Sequence, residues 1–229
     1  MPFLHTVYRK IQFHMAQAVD SRQKKIIVEE VKNVIKMYTD RGFREVDIHG
    51  DKEFKCILDD MSPTPVDIVA SDKNMDEVER SIRVFNERCR CIINWLLYKS
   101  YTMLRIIKLV CTALRGLNQI PAEKVILDSI SPLTIMTGQD SVDYNNLQAD
   151  FGKYTQVYEE DRRNNTNAQQ SLGAIILSMN YNMNGHYRFM SLNTGKLISV
   201  KQSTLPSITG EVKRRVEYLA LAHNQPMMT

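Results

Sequence analysis

Asp51 and Glu79 are the carboxylates whose setting could support chemistry. Asp51 stands in Gly50-Asp51-Lys52-Glu53-Phe54, after an alternating run that predicts a strand over Phe43–His49. Glu79 stands in Val78-Glu79-Arg80-Ser81-Ile82-Arg83, near the start of a predicted helix over 75–98. Two such oxygen donors side by side could hold Mg2+ or Mn2+, hard cations that prefer oxygen ligands. A pair of these ions roughly 3.5–4 Å apart activates water and stabilises the leaving oxygen of a phosphodiester. Asp51 and Glu79 are therefore the candidate catalytic and metal-ligating residues. Each also has a plainer reading. Asp51 suits a turn, and Glu79 suits the first turn of a helix, where the macrodipole favours an acid. Asp47 is a rival to Asp51 and Glu77 to Glu79, with Asp72 and Asp76 in the loop between. His49, flanked by acids, reads as a hydrogen-bonding surface residue rather than a ligand of hard ions. A third carboxylate for the set is hard to find.

The arginines give those acids a context. Residues 45–78 carry ten Asp or Glu against three Lys or Arg, whereas residues 79–105 carry six Lys or Arg against two Glu. An acidic segment thus abuts a basic helical one, although the whole chain is only +4. Arg80, Arg83, Arg88 and Arg90 are the candidate nucleic-acid-binding residues, with Lys99 and Arg105 extending the basic surface. The plainer reading is solvated ion pairing with Glu87 or the acidic segment, each pair contributing roughly 0–1 kcal/mol. No Gly-x-Gly-x-x-Gly or phosphate-loop lysine motif occurs, so no nucleotide cofactor is expected. Ser129 and Ser131 lack the context of a nucleophile elbow.

The elements that must position these residues read as strand, helix, strand, which argues an α/β arrangement. Strands are expected at 2–8 and about 11–16. A helix is expected at 21–40, capped by Asp20 or Ser21 and ended before Gly42. A helical turn at 55–63 and a strand at Val66–Ala70 follow. The helix at 75–98 has its apolar stripe at Val78, Ile82, Phe85, Cys89, Ile92, Ile93 and Leu96. A further helix at 101–116 turns Leu104, Ile107, Val110 and Leu114 inward and ends near Gly116. Residues 117–148 read as an irregular connection. Short strands are expected at Tyr154–Tyr158, Leu172–Leu177, Gly185–Met190 and Lys196–Val200. Turn formers at 164–170, 182–185 and 193–195 separate them. A helix at 210–222 follows. The domain expectation is a core over 1–138, a linker and small β-rich module over 139–209, and a helix and tail over 210–229. In the module Tyr154, Tyr158, Tyr181, Tyr187 and Phe189 interleave with Lys153, Arg162, Arg163 and Arg188. Stacking on bases is one reading of them, and a sheet core is the favoured one.

Composition bounds the rest. At 229 residues and 43% hydrophobic content the chain can bury a real core. Cys56, Cys89, Cys91 and Cys111 match no zinc or disulfide pattern, and read as core or half-buried thiols in a reducing compartment. No segment approaches the roughly 20 apolar residues of a membrane span, and the first ten residues do not form a secretory signal. A nuclear or cytoplasmic location without a membrane partner is expected.

Several segments in order resemble the integrase region of Copia-type retrotransposon polyproteins, over most of residues 2–208. Ile48-His49-Gly50-Asp51-Lys52-Glu53-Phe54 resembles the strand end that bears the second catalytic aspartate. Val78-Glu79-Arg80-Ser81-Ile82-Arg83, followed by Asn86-Glu87-Arg88-Cys89-Arg90, resembles the helix that bears the catalytic glutamate. Leu117–Pro121 and Ser131–Gly138 resemble the segment after the core. Phe151-Gly152 and Gly185–Lys196 resemble the β-rich region beyond it. The resemblance implies a ribonuclease-H-like mixed sheet with flanking helices, followed by a small β-rich module. It also implies DNA as partner, a possible homo-oligomer, and ancestral two-metal DNA end processing and strand transfer by Asp51 and Glu79. Arg80 and Arg83 are plausible phosphate binders in that scheme. The chain departs from the family in three ways. No aspartate precedes Asp20 on an opening strand, Asp-Asn-Gly is absent before Glu53-Phe54, and the Asp51–Glu79 interval is short. The amino-terminal His/Cys zinc module is also absent. The expectation is a truncated or impaired integrase whose first strand and aspartate lie upstream of Met1. The alternatives are a non-catalytic DNA-binding module and a structural remnant.

Overall fold

A computed structural model describes residues 1–44, 47–68, 76–121, 127, 129–138, 150–158, 171–179 and 187–222. The contacts divide the chain into two compact units. One comprises Met1–Glu87 with Leu114–Ser141, the other Arg88–Ala113 with Val142–Thr229. Both contain helices, and the sheets are of mixed kinds, so the chain is a mixed α/β protein.

In the first unit, β1 (Phe3–Tyr8) and β2 (Phe13–Ala18) form an antiparallel hairpin in which Val7 faces His14 and His5 faces Ala16. Alternation gives the hairpin two faces with different tasks. Leu4, Tyr8, Phe13 and Met15 pack with residues of α1 (Lys24–Thr39), among them Val31, Val34 and Tyr38. His5 and His14 lie on the opposite face, His5 stacking on Phe85 at 5.5 Å between ring centroids. Phe85 belongs to α2 (Asp76–Trp95). The hairpin is thus packed on both sides.

The end of α1 corrects one expectation. The predicted strand over Phe43–His49 is reduced to β3 (Ile48–Gly50), which pairs in parallel with β4 (Val66–Ile68). Val46, Val69 and Ala70 lie outside the described residues. Phe43 is committed elsewhere: Gly42 takes the left-handed conformation (φ +81°), the Phe43 N–H donates to Tyr38 O, and the two rings pack edge to face. A hydrophobic contact across a left-handed glycine is a common way to close a helix. The start of α1 also differs. Neither Asp20 nor Ser21 caps it; Gln23 occupies that position without a side-chain bond, while the Gln23 N–H donates to Ser21 Oγ. Between β3 and β4 runs a 3-10 helix, Lys52–Asp60, whose Ile57 is fully buried.

Helix α3 (Met103–Gln119) runs past the expected end at Gly116. Asn118 explains the extra turn. Its side chain accepts from the His14 N–H and donates to the His14 carbonyl, both at 2.8 Å, so extending the helix satisfies backbone groups of β2. Helix α2 ends earlier than expected, at Trp95, where Leu96 and Tyr98 enter the core of the second unit. Within the connection read as irregular, α4 (Pro132–Thr137) forms one short helix, with Ser131 accepting from the Thr134 N–H and Gly138 left-handed at its end.

The second unit holds a five-stranded antiparallel sheet in the order β8-β7-β6-β5-β9. Its strands are β5 (Tyr154–Tyr158), β6 (Ser171–Met179), β7 (Tyr187–Ser191), β8 (Leu197–Val200) and β9 (Ser203–Thr204). The first four match the sequence expectation closely; the two-residue β9 was not anticipated. Both faces of β6 are covered. Ile175 and Leu177 pack with Val216 and Leu219 of α5 (Gly210–Ala222), and Ala174 and Ile176 pack with Val157 and Phe189. Arg215 ties α5 to the β7–β8 turn by donating to the carbonyls of Leu192 and Asn193. Three of the module's aromatic residues serve this packing: Phe189 is fully buried, and Tyr154 and Tyr187 pack against the two clusters, whereas Tyr158 is exposed. Tyr181, Arg162, Arg163 and the turns expected at 164–170 and 182–185 lie outside the described residues.

Gly152 is the position least able to accept a side chain. Its φ is +82°, and a Cβ there would lie 2.1 Å from Leu96 Cδ2. Gly152→Ala is expected to lose about 2–4 kcal/mol, from left-handed strain plus overpacking. Gly116→Ala, in a helix with nothing within 4 Å of the new methyl, is expected to gain up to about 1 kcal/mol. Denaturant midpoints measure both; equal midpoints for the two variants would refute the packing described around Gly152.

Candidate nucleic-acid interface

Asp51 follows β3 and caps the 3-10 helix. Its Oδ1 accepts from the Glu53 N–H at 2.9 Å, so one oxygen already has a structural task. Glu53 in turn reaches Arg22 at 3.2 Å. Asp47, the rival to Asp51, bonds His49 Nε2 at 2.6 Å. Asp67, opposite His49 in the parallel register, lies 3.9 Å from its Nδ1. His49 is thus a hydrogen-bonding surface residue between two aspartates. Glu79 is exposed near the start of α2. Among the described residues no group of three or more His, Cys, Asp or Glu is placed to hold a metal ion. Asp72 and the side chains of Asp76 and Glu77 lie outside that description.

The arginines are presented to solvent. Arg80, Arg83, Arg88 and Arg90 are all exposed on α2, and no ion pair engages them among the described residues. Arg80, Arg83, Glu87 and Arg90 recur at steps of three and four, which puts them along one side of the helix. The buried side is narrower than the expected stripe. Ser81 is buried, whereas Ile82 is 40% exposed. Ser81 Oγ lies 3.0 Å from His14 Nδ1, so the serine rather than Ile82 faces the hairpin.

Arg105 corrects the extent of the basic surface. It was expected to extend the phosphate-binding face with Lys99, but it is fully buried in the second unit. Its guanidinium lies 4.6 Å from the Tyr98 ring centroid and 4.7 Å from that of Tyr101. The cysteine expectation is corrected as well: Cys56, Cys91 and Cys111 are exposed and only Cys89 is half-buried. Burial pushes the Cys89 thiol up to about 11, which makes it an inert thiol near neutrality.

Two features escaped the sequence reading. His5 and His14 form a stacked pair with ring centroids 5.9 Å apart, and both ring nitrogens of His5 are buried without a hydrogen-bond partner. The signal was their placement on one face of a hairpin. Trp95, inside the expected helix but outside its apolar stripe, is 88% exposed. Its signal was position: it falls on the side of α2 shared by Arg88 and Cys91.

No family model matches the chain, and no curated protein matches it. One solved structure to which the chain bears some similarity is the simian T-cell lymphotropic virus intasome in complex with PP2A regulatory subunit B56 gamma. It is 8% identical, and the match covers 91% of this chain and 80% of that one. At a TM-score of 0.31 the likeness is weak and assigns neither fold nor function. No helix among the described residues is long and apolar enough to cross a membrane.

Proposed function

We propose that the chain is an integrase-like, nucleic-acid-binding protein of retrotransposon origin, with a ribonuclease-H-like ancestry in its first part and impaired strand-transfer chemistry. The observation that carries the reading is the exposed arginine side of α2, with Glu79 at its start and without internal ion pairing among the described residues. Such a face neutralises backbone phosphates and releases condensed counterions. The ordered resemblance of Ile48–Phe54, Val78–Arg90 and Gly185–Lys196 supports the same lineage. A homo-oligomer belongs to that proposal, as do the domain assignments to 1–138, 139–209 and 210–229.

The ancestral reaction needs a complete carboxylate set for Mg2+ or Mn2+, and the described residues do not supply one. Asp51 has one oxygen committed to the Glu53 N–H, and among the described residues Glu79 stands in no group of three donors. No catalytic step is therefore assigned to a metal. What these residues do in the proposal is bind: the arginines attract phosphate, and Asp51 holds the loop after β3.

The test is fluorescence anisotropy of labelled duplex DNA over a range of salt. Four phosphate contacts predict a slope near −3.6 in log affinity against log salt, or about a hundredfold loss between 50 and 200 mM. Replacing Arg80, Arg83, Arg88 and Arg90 by Ala should remove most of that slope. An unchanged slope would refute the α2 surface. A parallel joining assay with element ends and Mg2+ or Mn2+ tests the chemistry. Impairment predicts little or no joining. Robust joining abolished by Asp51→Asn or Glu79→Gln would instead show a competent enzyme.

A further inference from the structure

We propose that Trp95, with Arg88, forms a stacking site for an unpaired nucleobase at the end of α2. The proposal deepens the nucleic-acid reading above and rests on it. Trp95 is the last residue of α2 and 88% exposed, and the chain has no other tryptophan. Arg88, Cys91 and Trp95 recur at steps of three and four, so they line one side of the helix, and all three are exposed. No acid stands on that stripe: the helical neighbours of Arg88 are Val84, Phe85, Cys91 and Ile92, and the exposed Lys99 follows Trp95. The surface therefore combines one open aromatic ring with a cation, Arg88, that no ion pair engages among the described residues.

That combination selects among occupants. A second copy or another protein would need an interface of roughly 1,200–2,000 Å². A lone indole beside the exposed Leu97 is a small fraction of that, and the flanking cations disfavour apolar burial. A strand of nucleic acid needs only one ring per base, since every base has a π face, and its phosphates want the cation nearby. Duplex bases already stack on one another. The ring therefore selects an unpaired base, at a frayed end or in a single-stranded overhang. Arg88 takes the adjoining backbone phosphate.

The experiment excites the lone tryptophan while a mixed-sequence single-stranded oligonucleotide is added to the full chain. A blunt duplex of the same length is the comparison, and anisotropy follows binding independently. Quenching of emission in step with single-strand binding, and little with the blunt duplex, is the expected result. Trp95→Ala should weaken single-strand binding by roughly five- to a hundredfold with the salt slope unchanged. Trp95→Phe should recover most of it. Arg88→Ala should instead lower the slope by about one. Salt-sensitive binding with unchanged emission, or with full affinity in Trp95→Ala, would overturn this inference and leave the arginine surface standing. Absence of salt-sensitive binding to any DNA would overturn both. A blue shift that grows with protein concentration in the absence of DNA would assign Trp95 to self-association and overturn the stacking site.

Discussion

Acidification from neutrality to about pH 4 is expected to destabilise the first unit by up to about 3 kcal/mol through His5 alone. Burial is the main cause, and the neighbouring His14 adds to it; together they hold the His5 imidazole down at about 4 against an ordinary 6.5. Burial also lowers His14. The sign follows from which state takes the proton. Above the unfolded value of 6.5 both states are neutral, and the full stability is present. As the pH falls the unfolded chain protonates first, while the fold still excludes the charge. Stability is therefore lost from about 6.5 downward, and the loss levels off only below about 4.

The geometry explains why the cost is not avoided. Phe85 and His14 both stack on the His5 ring, and neither His5 nitrogen has a hydrogen-bond partner. A proton on His5 would have no carboxylate to meet among the described residues. His5→Phe keeps the stack and removes the titration, so its stability should vary less across this window. Denaturant unfolding at several pH values measures the difference, and a histidine proton-resonance titration locates the two imidazoles. Equal pH dependence in the parent and His5→Phe would refute the assignment. The consequence for function is local, because Phe85 and Ser81 lie on α2, the helix that also presents Arg80 and Arg83.

Arg105→Ala is expected to lose about 3–5 kcal/mol, whereas Arg105→Met should stay within about 1 kcal/mol of the parent or exceed it. The buried guanidinium donates to Ser100 O at a long 3.5 Å, and its Nε and Nη2 have no hydrogen-bond partner. Burial lowers it to about 10, so it is still a cation at neutrality. It also sits in the first turn of α3, where the helix dipole is positive. Two tyrosine faces offset part of this cost, up to about 2 kcal/mol each for a desolvated pair. Tyr98 itself is pushed up to about 12, chiefly by burial, so its phenol stays neutral and offers a π face rather than a counter-charge. The side chain thus contributes mainly volume. Methionine supplies volume without charge; alanine leaves a cavity. Denaturant midpoints decide, and equal losses in the two variants would mean that the guanidinium makes stronger paired interactions than those described. The same Arg105→Met protein should bind DNA as tightly as the parent, because a fully buried residue contacts no phosphate.

Periodicity alone determined much of this protein. The short strand-forming runs at 154–158 and 172–177, the Asn-Thr-Gly turn, and the three- and four-residue steps of α1 and α2 each state a local preference that the fold obeys. Near neighbours in the chain decide these elements, so one window of residues contains the information. The exposed arginine side of α2 was legible for the same reason.

What the tertiary structure decided are commitments to distant partners. Phe43 closes α1 against Tyr38 instead of continuing a strand. Asn118 extends α3 because its amide pairs with the backbone of His14, far away in sequence. Arg105 looked like one more surface cation, yet its steps of four to Leu109 and Ala113 run along the buried side of α3. Ser81 and Ile82 exchange roles because His14 meets the serine. Each of these outcomes depends on which atoms face a residue across the core. Free energies of a few kcal/mol from burial and hydrogen bonding there outweigh the few tenths that local propensity contributes.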